Sequence, residues 1–192
     1  MAAIGAIACA VGIVSAQDSP KLKLGDRLDP GSTGQETKPE YATTQWEQLV
    51  APGWDPAKEF RGLDLGMLGD ADPRAMEMLE RLRAEWKRAP VNPKLEGARI
   101  RIPGFVVPLE RAGDKVTEFL LVPYFGACIH TPPPPANQII HARARTPLGG
   151  LQAMNAIWAS GVITVDASDT IMGYAGYRMQ VHSTEAYKWA AK

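Results

Sequence analysis

The residues best suited to chemistry lie between Tyr124 and His141, in the segment YFGACIHTPPPPANQIIH. Cys128 stands two residues before His130, and His141 follows a run of four prolines, Pro132, Pro133, Pro134 and Pro135. On an extended chain, residues two apart point to the same side, about 6.6 Å apart. A Cys-x-His pair of that kind can converge on one ion, and a thiolate with imidazoles suits zinc or copper. The prolines have no N–H groups and a fixed φ, so they form a stiff polyproline turn. If that turn folds the next strand back, His141 returns beside Cys128 and His130. Three protein ligands would then leave one position open. The same segment offers a second use, a recognition surface made of Tyr124, Phe125, the four prolines and Asn137. A purely structural role is the alternative, with Cys128 filling space and the prolines forming a rigid corner.

An enzymatic reading would make Cys128 the nucleophile and His130 its base. Such a pair needs direct hydrogen-bond reach, and same-side residues on a strand stand too far apart for it. No His-Glu-x-x-His pattern, glycine-rich phosphate loop or Gly-x-Ser-x-Gly elbow accompanies it. These patterns favour a non-enzymatic role, with a cysteine-dependent enzyme kept as an alternative.

The elements that must position these residues are mainly strands. Ala98–Pro103 alternates, with Ile100 and Ile102 on one face and Arg99 and Arg101 on the other. Gly104 reads as a bulge or sharp bend, and the strand resumes through Leu109. Further strands are expected over 116–124, 138–144, 157–166 and 174–182. A helical turn is expected within 146–155 and a terminal helix over 183–192. Three strands, a short break and two strands predict a five-stranded OB-like barrel, the alternative being a small open β-sandwich. Ahead of it, Asp72 as N-cap and Pro73 in the first turn predict a helix to Lys87. Its stripe of Ala75, Leu79, Leu82 and Trp86 should pack on the barrel. In the third and fifth strands, His141 and His182 should face outward, His182 as an ordinary surface histidine.

Three segments carry a resemblance: IRIPGFVVPLE, FLLVPYFGACIHTPPPPANQIIH and WASGVITV, beginning at Ile100, Phe119 and Trp158. They resemble a bacterial family known as domain of unknown function 3299, over about Trp46 to the C-terminus. The resemblance implies an exported or periplasmic protein, associated with metal handling or a transporter. It implies no defined activity.

Composition bounds the partners. The 192 residues carry 21 basic and 21 acidic side chains, so no global field attracts nucleic acid. Residues 1–16, MAAIGAIACAVGIVSA, are uncharged and apolar. They are too short to span a membrane and read as a signal peptide cleaved after Ala16. Lipoprotein processing at Cys9 is the alternative. Residues 17–44 then form a disordered tether, and 45–192 one globular domain with a helical extension (45–90) and a barrel core (95–185). The mature chain has no transmembrane helix and keeps Cys128 alone. A free thiol in an oxidising compartment points to a reactive group, a metal ligand or burial. The resulting expectation is a periplasmic metal-binding accessory serving a transporter or other envelope protein. The alternative is a protein- or peptide-binding module without metal.

Overall fold

Strand alternation from Arg99 onward builds a closed barrel with two apolar faces. The computed structural model describes residues 21–29, 40–55, 73–130 and 133–189. Its strands are β1 (Ala42–Thr43), β2 (Arg99–Ala112), β3 (Lys115–Val122), β4 (Ile140–Leu148), β5 (Ala156–Thr164), β6 (Ser168–Thr170), β7 (Gly173–Ala175) and β8 (Tyr177–Ala186). The sheet runs β1-β2-β3-β4-β8-β5, and β2 also pairs with β5, which closes five strands on themselves. β4 and β8 pair in parallel, while β2–β3, β3–β4, β5–β8 and β2–β5 are antiparallel. Numbered as barrel strands alone, the order is 1-2-3-5-4 and back to 1. This is the expected OB-like barrel rather than an open sandwich.

The inner residues fill the barrel. Ile100, Ile102, Val106, Phe119, Leu121, Ile140, Ala142, Ile163, Met179 and Val181 form one buried cluster, capped by Trp46 and Leu49. Where β5 crosses β8, a side-chain carbon on Gly161 would sit 2.1 Å from the Gln180 carbonyl oxygen. Only glycine fits this approach.

The second face is also covered, which alternation alone did not foretell. Phe105, Val107, Leu120, Val122 and Trp158 form an outer cluster with Leu28, Ile139 and Tyr187. Arg101, expected at the surface, is 4% exposed. Its guanidinium lies 3.9 Å from the Trp158 ring and bonds Glu185 at 3.1 Å. The described parts of the expected tether, 21–29 and 40–44, lie against the barrel. Gly25 donates to the Phe125 carbonyl at 3.0 Å, Phe125 donates to the Asp26 carbonyl at 2.8 Å, and Leu28 is buried. β1, expected at the tether's end, instead pairs with β2.

Three element boundaries differ from the sequence reading. The register shifts of β2 fall between Pro108 and Arg111, not at Gly104. The chain over 183–186 continues β8 instead of starting a helix. A β6–β7 hairpin fills the connection before β8. Among the described residues the one α-helix, α1, spans Pro73–Lys87. Its expected core stripe is only partly covered: Leu79 is 40% exposed, and Leu82 and Trp86 are half-buried. Lys87 ties its end to the hairpin, 2.8 Å from Asp169 and over the Tyr174 ring. Asp72 lies outside the described residues, as do residues 1–16 and Pro132. Among the described residues no helix is long and apolar enough to cross a membrane.

Candidate functional site

Strand register, rather than the proline turn, assembles the polar site. β3 and β4 pair Glu118 with Arg143. β4 and β8 pair His141 with Arg178 and Arg143 with Gln180. β5 and β8 pair Thr164 with Arg178 and Val162 with Gln180. Two rows therefore cross three neighbouring strands: His141–Arg178–Thr164 and Arg143–Gln180–Val162. Together with Met179 they line a groove of about 280 Å³. It lies on the third barrel strand and its neighbours, beside the connection between the last two strands. OB-type barrels bind on their second and third strands and the loops joining strands 1–2 and 4–5; this groove shares the third strand with that surface, and its other lining residues come from the fourth and fifth.

His141 is held from both sides at the groove wall. Nδ1 lies 3.0 Å from Ser168 Oγ, and Nε2 lies 3.0 Å from Glu118 Oε2. A carboxylate can only accept, so neutral His141 carries its hydrogen on Nε2 and Nδ1 accepts from the Ser168 hydroxyl. Arg143 Nε donates to Glu118 Oε1 at 2.7 Å. Burial alone would raise the Glu118 carboxyl, but the bonds from Arg143 and His141 outweigh it and hold the group below the usual range. The hydroxyl–imidazole–carboxylate string has the components of a nucleophilic relay. Ser168, however, is 7% exposed, so its hydroxyl positions the imidazole and is not presented to a substrate.

Arg178, also in the groove lining, places Nε 2.9 Å from Asp166 Oδ2. Both partners are substantially exposed, 46% and 61%. Neither Glu118 nor Asp166 lines the groove. Its lining therefore presents two guanidiniums, an imidazole and the neutral groups of Gln180 and Thr164, over an aliphatic floor.

The cysteine turn is built differently from its sequence expectation. Cys128 is not extended; its φ is 63°, a conformation uncommon outside glycine. The same-side geometry with His130 is therefore absent. A tight turn sets it, with His130 N–H donating to the Gly126 carbonyl at 2.8 Å and Gly126 N–H donating to Met154 Sδ at 3.1 Å. His130 is exposed and Cys128 half-buried. Burial pushes the Cys128 thiol up to about 12, so it stays protonated at neutral pH and is a poor nucleophile. His141 is engaged by Glu118 and Ser168. Among the described residues, no three His, Cys, Asp or Glu side chains are grouped to hold an ion.

The expected recognition surface is largely interior. Asn137 is fully buried, its amide donating to the Pro90 carbonyl at 2.9 Å. Tyr124 and Phe125 are half-buried under the segment at 22–28. Phe125 meets Phe105 edge-on at 5.7 Å, and the Arg27 guanidinium lies 5.9 Å from the Tyr124 ring. Pro134 is buried, Pro135 half-buried and Pro133 exposed. The chain after Pro135 is fixed by Gln138, whose side-chain amide donates to the Trp46 carbonyl at 2.7 Å. Sequence reasoning missed Glu118, Ser168, Arg143 and Arg178. The signal for one of them was present, since Arg143 shares the outward face of a predicted strand with His141.

Comparison with known proteins agrees with the barrel. A family described as "Protein of unknown function (DUF3299)" matches residues 46–186. No curated protein matches the chain. The crystal structure of a DUF3299 family protein from Pseudomonas aeruginosa PAO1 is similar, at 31% identity and a TM-score of 0.61. The likeness covers 79% of this chain and 99% of that one. The family match spans the barrel and the cysteine turn alike, and the chain belongs to the DUF3299 family.

Proposed function

We propose that this protein is an OB-type binding module of the cell envelope that holds a peptide segment of a partner protein without a metal ion. One observation carries the reading. His141, which lines the 280 Å³ groove, is held in place from behind by Glu118 and Ser168, on the third barrel strand that OB folds share in taking ligands. Buried polar networks hold side chains in one geometry, and a wall fixed in advance loses little freedom on binding. The geometry favours this over the zinc or copper reading, because His141 is engaged by Glu118 and Ser168 and the left-handed turn at Cys128 removes its same-side spacing with His130. Balanced charge favours protein over nucleic acid.

The test is selection of peptides from a random library on the native protein, followed by binding to Thr164→Trp, which fills the groove. Selected peptides should lose affinity for the variant at unchanged thermal stability. Selection of no peptide, or equal binding by the variant, would overturn the proposal.

A further inference from the structure

We infer that the groove recognises carboxylate side chains, so that its occupant is an acidic peptide; this rests on the binding-module reading above. Arg143 and Arg178 are the only formally charged side chains in the lining. They stand on adjacent strands, offset by two residues in register: Arg178 opposite His141, and Arg143 opposite Gln180. That offset corresponds to about 6.6 Å along a strand. It matches the same-face spacing of side chains two apart on an extended peptide. A peptide with acidic residues at alternate positions would therefore meet one guanidinium with each carboxylate.

The two arginines are prepared for this in different ways. Arg143 is fixed on Glu118 Oε1 through Nε and a terminal nitrogen, yet its side chain remains 76% exposed. A guanidinium has five N–H donors, so one carboxylate partner leaves others to offer. Arg178 is held by the exposed Asp166. An exposed ion pair contributes little, so an incoming carboxylate can displace Asp166 with small loss. Asp166 thus occupies the place the ligand takes. Gln180 and Thr164 supply neutral donors between the two charges, suited to a peptide backbone. Val162 and Met179 provide apolar contact beneath.

Hexaglutamate, hexaserine and an oligothymidylate serve as probes, with fluorescence anisotropy at low and physiological salt. Hexaglutamate should bind more tightly than hexaserine, and its affinity should fall as salt rises. Arg178→Gln and Arg143→Gln should each weaken it about tenfold, the loss of one charge-assisted bond. Lys23→Gln, an exposed cation outside the groove lining on the segment packed beside Phe125, should leave it unchanged. Asp166→Asn should strengthen hexaglutamate binding severalfold, because Arg178 loses its competitor. A gain of affinity cannot arise from misfolding. If library-selected peptides bind at the groove but hexaglutamate binds no better than hexaserine, the carboxylate inference falls and the module reading stands. If oligothymidylate binds as tightly with the same arginine dependence, the inference is also overturned. If neither hexaglutamate nor any selected peptide binds at the groove, both fall.

Discussion

Glu118→Gln separates the charge of the Glu118 carboxylate from its shape. The carboxylate takes Arg143 Nε on Oε1 at 2.7 Å and His141 Nε2 on Oε2 at 3.0 Å. A glutamine can keep its oxygen on Arg143. Its amide can donate to Nε2 if His141 moves its hydrogen to Nδ1, where Ser168 Oγ accepts. No partner is then left unbonded, and what is lost is charge. Bonds to charged groups contribute about 1.5–3 kcal/mol against about 1 for neutral ones. The Arg143 side chain is 76% exposed, so its share falls at the low end. The variant should lose about 1–2 kcal/mol at neutral pH. Glu118→Ala, which leaves Nε2 facing a void, should lose about 2–4 kcal/mol. The pH dependence follows from the depressed carboxyl. A carboxyl lowered by folding contributes fully above its unfolded value of about 4.3. That contribution disappears as pH falls through the folded value. The stability gap between the native protein and Glu118→Gln should be complete at neutral pH and close in the acid range below the ordinary Glu value. Urea unfolding across that range measures it. A gap that persists in acid, or is missing at neutral pH, refutes the account of the network.

Four further outcomes are expected. Cys128, its thiol pushed up to about 12, should react with a disulfide reagent at least ~100-fold more slowly in the folded than in the urea-unfolded protein; elemental analysis should find equal zinc and copper in native and Cys128→Ser protein. Gly161→Ala, which sets a carbon against the Gln180 carbonyl, should cost about 1–3 kcal/mol or more, or prevent folding, by thermal melting. Glu185→Ala strips the partner from the buried Arg101 and should destabilise by about 1–3 kcal/mol, below the usual range for a broken buried pair because Glu185 is 44% exposed; adding Arg101→Met should recover most of it. Mass spectrometry of protein from its native host should find an N-terminus near Gln17, and an intact Met1 would contradict export.

The barrel was legible because its information is local. Ile100 and Ile102 alternate with Arg99 and Arg101, and Tyr177, Met179 and Val181 repeat at the same period. A period of two identifies a strand and its inner face without reference to anything distant. The same pattern misplaced Arg101. Alternation gives the side of the sheet but not what covers that side, and here Trp158 and the end of β8 cover it. It also overstated α1: the apolar spacing specifies a helix, but the cover over Leu79 must come from elsewhere in the chain, and it is 40% exposed.

The site was hidden for a related reason. Cys128, His130 and the prolines drew attention because they are chemically unusual and adjacent in sequence. Their turn instead has its own backbone bonds and an αL cysteine, so the spacing on which ion binding depended never forms. Glu118, His141 and Ser168 are ordinary residues 23 and 27 positions apart. They meet only because β3 pairs with β4 in one register and the β6–β7 hairpin is folded against β4. A one-residue slip between β3 and β4 would send Glu118 to the other face and dissolve the network. Register is set by the whole closed barrel, including the parallel β4–β8 pairing that returns Arg178 to His141. The polar site is thus a consequence of barrel closure, which is why its members share no local motif.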